Sequence, residues 1–393
     1  MADKPYYPLP PIGSVSVLAA MLKINEKQLI HIANNASNSY TSFEITPEGK
    51  KPRDVVEPKE QLKYVQKKIN AMIFSEVKYP IYLMGGISDK VQSRDYINNG
   101  KLHLNKNTLI NLDIENFFPN IKHVYVKKIF THLFKFPESV SEILTKLTTL
   151  NGRLPQGGCS STYIANLLFF NYEYHIVSQL RNKGITYSRL LDDITLSSNK
   201  KLNKEDKTHA ISAVDGLIKR FELSINTSKT RIEHKDDLSA QYEVTGSWVR
   251  FGELKFPGKA RKKIRSAVKK CELMYQENCY SAEYHSQWNR TSGRVAQLKR
   301  FGHHKQEREF RTRLGKILPL YDEQQAITLR TKVYQLVKKR KLNKLRLDNP
   351  GLRKQILTLY HQLGILARNN TSSKILKNEL RENFSFLINN PYY

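Results

Sequence analysis

The sequence predicts an α+β fold followed by an all-α part. Up to about residue 256, short strand-type runs alternate with amphipathic helical segments, and beyond it the apolar spacing is helical throughout. A third observation gives the pattern its interest: two strand-type runs end in aspartate, one at Asp113 and the other at the doublet Asp192–Asp193.

The elements follow in order. Residues 13–35 carry apolar positions at helical spacing and read as two short helices. Tyr40 to Thr46 alternates, residues 47–52 form a Pro/Gly turn, and Arg53 to Glu57 continues as a strand, giving a hairpin with a basic tip. Glu60 to Ser75 reads as an amphipathic helix, and residues 79–107 as loop. Thr108 to Asp113 is a buried-type strand, with helices near 122–135 and 138–150. Leu154-Pro-Gln-Gly-Gly-Cys-Ser-Ser161 is a Gly-rich turn opening a long apolar helix from about Ser161 to Lys183. A hairpin bears the doublet at its tip. A helix from Lys204 to Phe221, a strand near Leu223 and a hairpin from Trp248 to Phe256 complete this part. Residues 259–280, 283–300 and 320–390 read as helical, broken at Pro350-Gly351.

Composition narrows the partners. Lys and Arg number 65 against 36 Asp and Glu, a net charge of +29 that repels itself unless a polyanion neutralises it. Nucleic acid is favoured over membrane, because no long apolar run exists and Tyr and Phe, which suit base stacking, interleave the basic segments. Cys159, Cys271 and Cys279 fit neither a disulfide framework nor a zinc pattern, and the N-terminus lacks a signal-peptide pattern; a cytoplasmic location is expected.

Adjacent carboxylates raise each other's pKa, and a divalent cation is the usual compensation, although Asp-Asp also begins ordinary turns. With Asp113 on a neighbouring strand, three carboxylates can hold two Mg²⁺ ions roughly 4 Å apart for phosphoryl transfer. Backbone amides at Gln156-Gly157-Gly158 suit a nucleotide's phosphates or base, and the basic hairpin around Lys50, Lys51 and Arg53 suits a triphosphate.

The order of these pieces resembles the reverse-transcriptase family. Lys50-Lys-Pro-Arg-Asp-Val-Val-Glu-Pro58, Asp113-Ile-Glu-Asn-Phe-Phe-Pro-Asn-Ile121, Leu154 to Ser161 and Leu190-Leu-Asp-Asp193 look like its consecutive motifs. The resemblance implies a right-hand polymerase with residues 1–39 as an N-terminal helical extension, 40–112 as fingers, and 113–258 as palm with finger insertions around 122–155. A thumb over 259–320 and a C-terminal helical extension over 321–393 follow. It implies Asp113, Asp192 and Asp193 as the catalytic triad, with Ile114 in the metal set. Lys51, Arg53, Gln156, Gly157 and Lys229 would surround the incoming dNTP, and Phe118 would exclude a 2′-hydroxyl.

Asn99-Gly-Lys-Leu-His103 and Val244-Thr-Gly246 resemble two elements of the retron subfamily, the first with Gly in place of Ala. That resemblance implies RNA contacts at Asn99, His103, Val244, Thr245 and Gly246. The run Lys259 to Lys270 contains no Asp or Glu, and Arg261, Lys262, Lys263, Arg265, Lys269 and Lys270 are its candidate phosphate contacts. A retron enzyme would prime from a 2′-hydroxyl in its own structured noncoding RNA and copy part of it into RNA-linked single-stranded DNA. A role in phage defence with a separately encoded effector would follow, since the chain shows no effector motif. Alternatives are another bacterial reverse transcriptase, group II intron-like or defence-associated, and a polymerase-derived RNA-binding scaffold. One departure is plain: Leu190-Leu191 stands where the family carries Tyr-Ala before the doublet.

Overall fold

The computed structural model describes residues 3–46, 52–89, 91–345, 350–368 and 371–389. The chain forms two compact units, Met1–Leu254 and Lys255–Tyr393. The basic tip of the first hairpin, Lys50 and Lys51 included, lies outside the described residues.

The first unit opens with α1 (Val15–Leu22) and α2 (Glu26–Asn34), each started by a side-chain cap. Ser14 Oγ accepts the Val17 amide, and Asn25 Oδ1 accepts those of Lys27 and Gln28. Strands β1 (Tyr40–Ile45) and β2 (Arg53–Pro58) pair antiparallel as the predicted hairpin and lead into α3 (Glu60–Met72). The span predicted as loop contains β3 (Leu83–Met84) and α4 (Tyr96–Lys101), whose cap is Asp95. β4 (Thr108–Asp113) forms as predicted. It is followed by α5 (Phe117–Asn120), α6 (His123–Lys128), a π-helical turn Ile129–Leu133 and α7 (Glu138–Thr148).

The predicted helix from Ser161 to Lys183 is two helices, α8 (Ser161–Leu167) and α9 (Glu173–Asn182). Leu168, Phe169 and Phe170, all buried, lie in the turns between them. Strands β5 (Ile185–Leu190) and β6 (Asp193–Ser198) form the doublet hairpin, and α10 (Lys204–Lys219) follows. Beyond α10 the strand is β7 (Arg231–His234), while Ile225 makes only a bridge to Ile114. The second hairpin is β8 (Glu243–Val244) with β9 (Ser247–Trp248), ahead of the predicted Trp248–Phe256, because Thr245 and Gly246 take the left-handed φ values of 45° and 78° that a two-residue turn needs.

The central sheet has the order β3-β5-β6-β4-β7, with β3 parallel to β5 and the other pairs antiparallel. Alternation sends Ile110, Leu112, Ile194 and Leu196 into the main core, all at most 2% exposed. Asn111, Asp113, Asp193 and Thr195 therefore share the opposite face.

The second unit is helical: α11 (Gly258–Asn278), α12 (Ala282–Arg300), α13 (His304–Lys316), α14 (Glu323–Lys341), α15 (Pro350–Leu366) and α16 (Thr371–Ile388). Helix α13 was not predicted; its Phe310 and Leu314 close a core with Ile264, Val268, Tyr284 and Leu298. A second core joins α14, α15 and α16. Among the described residues, no helix is long and apolar enough to cross a membrane.

Candidate active site

Strand register brings the separated aspartates together. Asp113 lies directly opposite Asp193 across the β4–β6 pair, and the Ile114 amide donates to the Asp192 carbonyl at 3.0 Å. Burial raises the Asp192 carboxyl above its ordinary value and the Asp113 charge adds to it, while Lys229 and Arg53 pull it down. Lys229 Nζ sits 3.0 and 2.9 Å from the two Asp113 carboxylate oxygens. The site thus already attracts a cation, and its hard oxygen donors fit Mg²⁺. Among the described residues no group of three or more Asp, Glu, His or Cys side chains is placed to hold a metal ion. Mg²⁺ suits such an open arrangement, since it usually takes one or two carboxylates and completes its shell with water and substrate phosphates. Ile114 is buried, so only its backbone is available to a metal.

An open cleft of about 530 Å³ borders the pair, lined by Asn111, Asp113, Asp193, Thr195, Lys229 and Arg231 together with the hairpin tip Thr245–Gly246. The other predicted nucleotide residues gather through β2. The Val56 amide donates to the Gln156 carbonyl at 2.9 Å, which brings the hairpin bearing Arg53 to the Gly-rich turn. Gly157 has φ 118°, and a Cβ there would meet the Val56 carbonyl oxygen at 2.0 Å, so glycine is required. Phe118 is half-buried on α5, edge-on to Phe117.

Three predicted RNA contacts need correction. Asn99 and His103 are fully buried. His103 Nδ1 lies 2.7 Å from Ser197 Oγ and its Nε2 2.7 Å from Ser188 Oγ, while Ser188 Oγ donates to Asn99 Oδ1 at 2.6 Å. Their side chains brace the doublet hairpin instead of facing solvent. Val244 is also fully buried, packed with Leu109, Tyr242 and Val249. Only Thr245 and Gly246 of that element reach the cleft.

The bracing carries a pH signature. Burial pushes the His103 imidazole down to about 3, and Lys106 adds to the shift. An unfolded chain titrates histidine near 6.5, so below that pH the unfolded state binds the extra proton. The stabilisation is complete above about pH 6.5 and is lost as the pH falls toward about 3, at up to about 1.4 kcal/mol per pH unit. Urea unfolding at pH 7 and pH 5 is expected to show a smaller loss for His103→Gln than for wild type; equal losses would disprove the assignment.

In the second unit, Lys262, Lys263, Arg265, Lys269 and Lys270 lie on the exposed face of α11, whose other face buries Ile264, Ala267, Val268 and Cys271. Arg261 is half-buried and faces His303, whose imidazole is held low by burial and by the Arg261 charge.

Sequence reasoning missed the supports of the site. Gln66 and Asn70 on α3 grip the Gly-rich turn: Gln66 Oε1 accepts the Cys159 amide at 2.9 Å, and Asn70 Nδ2 donates to the Cys159 carbonyl at 2.8 Å. Arg189 is buried beneath the doublet with Glu173. A charged residue inside an otherwise buried-type strand was the available signal, since such a group requires a buried partner.

Comparison with known proteins agrees with this geometry. The family model described as Reverse transcriptase (RNA-dependent DNA polymerase) matches residues 45–288. Retron Se72 reverse transcriptase of Salmonella heidelberg is 47% identical over 322 residues, covering 82% of this chain and 84% of that protein. Retron Ec48 reverse transcriptase of Escherichia coli is 31% identical, covering 79% and 77%. Retron Ec86 reverse transcriptase of Escherichia coli is 28% identical, covering 66% and 78%. The chain belongs to the retron-type reverse transcriptases: it is an RNA-directed DNA polymerase with their α+β right-hand fold.

Proposed function

We propose that this enzyme copies part of its own structured noncoding RNA into RNA-linked single-stranded DNA, priming from a 2′-hydroxyl of that RNA. The observation that carries the chemistry is the register of Asp113 opposite Asp193 at one cleft, with Asp192 next in the chain and within reach of the Asp113 charge. Asp113, Asp192 and Asp193, with the Ile114 backbone, would hold Mg²⁺, which when bound supplies charge for activating a hydroxyl and for the departing pyrophosphate. The chain's own residues do the placing. Arg53 faces the triphosphate, and Gln156 and Gly157 seat the nucleotide through the turn that β2 fixes. Lys229 leaves Asp113 for the anionic leaving group.

Residues 40–112 would serve as fingers, 113–258 as palm and 259–320 as thumb. The exposed basic face of α11 would grip RNA phosphates. A role in phage defence, with an effector protein encoded separately, follows from the retron resemblance. The test is to purify the protein, sequence the nucleic acid that accompanies it, and supply dNTPs. DNA joined to one structured RNA is expected; RNA without DNA synthesis would leave a binding scaffold.

Phe118 extends the same reading to sugar selection. It lies five residues past Asp113 on α5 with its ring half-buried, and would serve as the aromatic gate beneath a nucleotide's sugar. Phe118→Ala is expected to reduce the preference for dNTP over rNTP about 10- to 200-fold, read as the ratio of kcat/KM values. An unchanged ratio would make Phe118 a core aromatic only.

A further inference from the structure

One buried ion pair lies directly beneath the aspartate turn and takes no part in the chemistry above it. The Arg189 and Glu173 side chains are 0% and 2% exposed. The guanidinium has five N–H donors, and five acceptors meet them. Nε donates to Glu173 Oε1 at 2.6 Å, and Nη2 donates to Glu173 Oε2 and the Asn166 carbonyl, both at 2.9 Å. Nη1 donates to the Ala165 carbonyl at 3.3 Å and to the Leu191 carbonyl at 3.2 Å. Glu173 is itself anchored by the Tyr187 hydroxyl at 2.7 Å.

The acceptors define what this side chain connects. Leu191 is the first residue of the two-residue turn between β5 and β6, and Asp192 is the second. Leu191 adopts φ 60°, a left-handed conformation that disfavours a branched residue and persists only where its surroundings impose it. Ala165 and Asn166 lie on α8, which begins just after the Gln156–Gly157 turn. A single rigid fork therefore spans the turn that carries the carboxylates and the helix that follows the nucleotide-side turn.

We infer that Arg189, held by Glu173, is a positioning residue that sets the Asp192–Asp193 turn against α8. The inference rests on the carboxylate reading of the site given above. Core stability alone does not require this pair, since buried ion pairs exchanged for apolar residues of similar volume are often stability-neutral. An apolar pair cannot donate to the Leu191 carbonyl, and a lysine has donors at one point instead of a fork. The contact is also blind to side chains, because it reads the backbone carbonyl. That explains how Leu190-Leu191 is compatible with correctly placed aspartates.

The test compares wild type, Arg189→Lys and the pair Arg189→Met/Glu173→Leu, each purified with its RNA, with Asp193→Asn in parallel. Single-nucleotide incorporation is measured for kcat and KM, and Mn²⁺ binding by electron paramagnetic resonance. The expected result is folded protein that retains RNA, with kcat lowered about 10- to 100-fold, dNTP KM changed little and Mn²⁺ bound more weakly. A double variant with wild-type kcat and Mn²⁺ affinity overturns the inference. So does one that unfolds or loses its RNA, because Arg189 would then serve the core. Full synthesis by Asp193→Asn would instead sink the carboxylate reading.

Discussion

Asp193→Asn is expected to lower DNA synthesis on the copurified RNA about 10³-fold or more while leaving RNA retention unchanged. The substitution keeps the shape of the side chain and removes one negative charge from a site whose chemistry depends on charge. RNA grip is expected to survive because its phosphate contacts are assigned to the exposed lysines and arginine of α11, on a different unit of the chain. The same variant is expected to be as stable as wild type or more so. Asp113 lies opposite Asp193, so removing one of the two carboxylates relieves like-charge repulsion in the folded state. Asp113→Asn is expected to match it in activity, with a smaller gain in stability because Lys229 loses its ion-pair partner. Primer extension and thermal melts on the same preparations read both effects. Synthesis within tenfold of wild type in both variants would refute the assignment.

The reason these positions were legible in the sequence is that each leaves a local trace. The strand Thr108–Asp113 carries Leu109, Ile110 and Leu112 and is closed by a carboxylate, and the doublet sits between two runs of strand character. Gln156-Gly157-Gly158 is a turn signal ahead of a helix. What stayed hidden depends on partners far along the chain. Asn99 and His103 resemble an RNA-contact element, yet nothing local says that Ser188 and Ser197 will take up their polar atoms. Helix α4 is short and Gly/Asn-rich, so its propensity is poor, and it is held by packing on β5 and on the β8–β9 hairpin. The helix expected from Ser161 to Lys183 is interrupted at residues 168–172, where no Pro or Gly marks the break in the sequence. Arg189 was visible as a letter but not as a bridge, because two of its acceptors are backbone carbonyls on another element.

Gly157→Ala is expected to disable nucleotide use without disturbing the carboxylates. Two penalties coincide at this position. The φ of 118° is a conformation that side chains rarely adopt, costing about 1–3 kcal/mol, and the added methyl would meet the Val56 carbonyl oxygen at 2.0 Å. That atom is backbone, so no rotamer change relieves the clash; strand β2 must move. Moving it breaks the bond from the Val56 amide to the Gln156 carbonyl and carries Arg53 away with the hairpin. The hairpin is a separate two-stranded sheet with a largely exposed face, so the core is expected to tolerate the shift. Affinity for dNTP should therefore fall at least about tenfold, with a lower kcat and a melting temperature within a few degrees of wild type. Gly216→Ala is the matching control. It sits inside α10 with open space around its Cβ and no unusual φ, so it is expected to leave activity intact and add about 0.5–1 kcal/mol of stability. If Gly157→Ala instead keeps wild-type KM and kcat, the contact between β2 and the Gly-rich turn does not shape the nucleotide site, and the roles given to Arg53 and Gln156 fall with it.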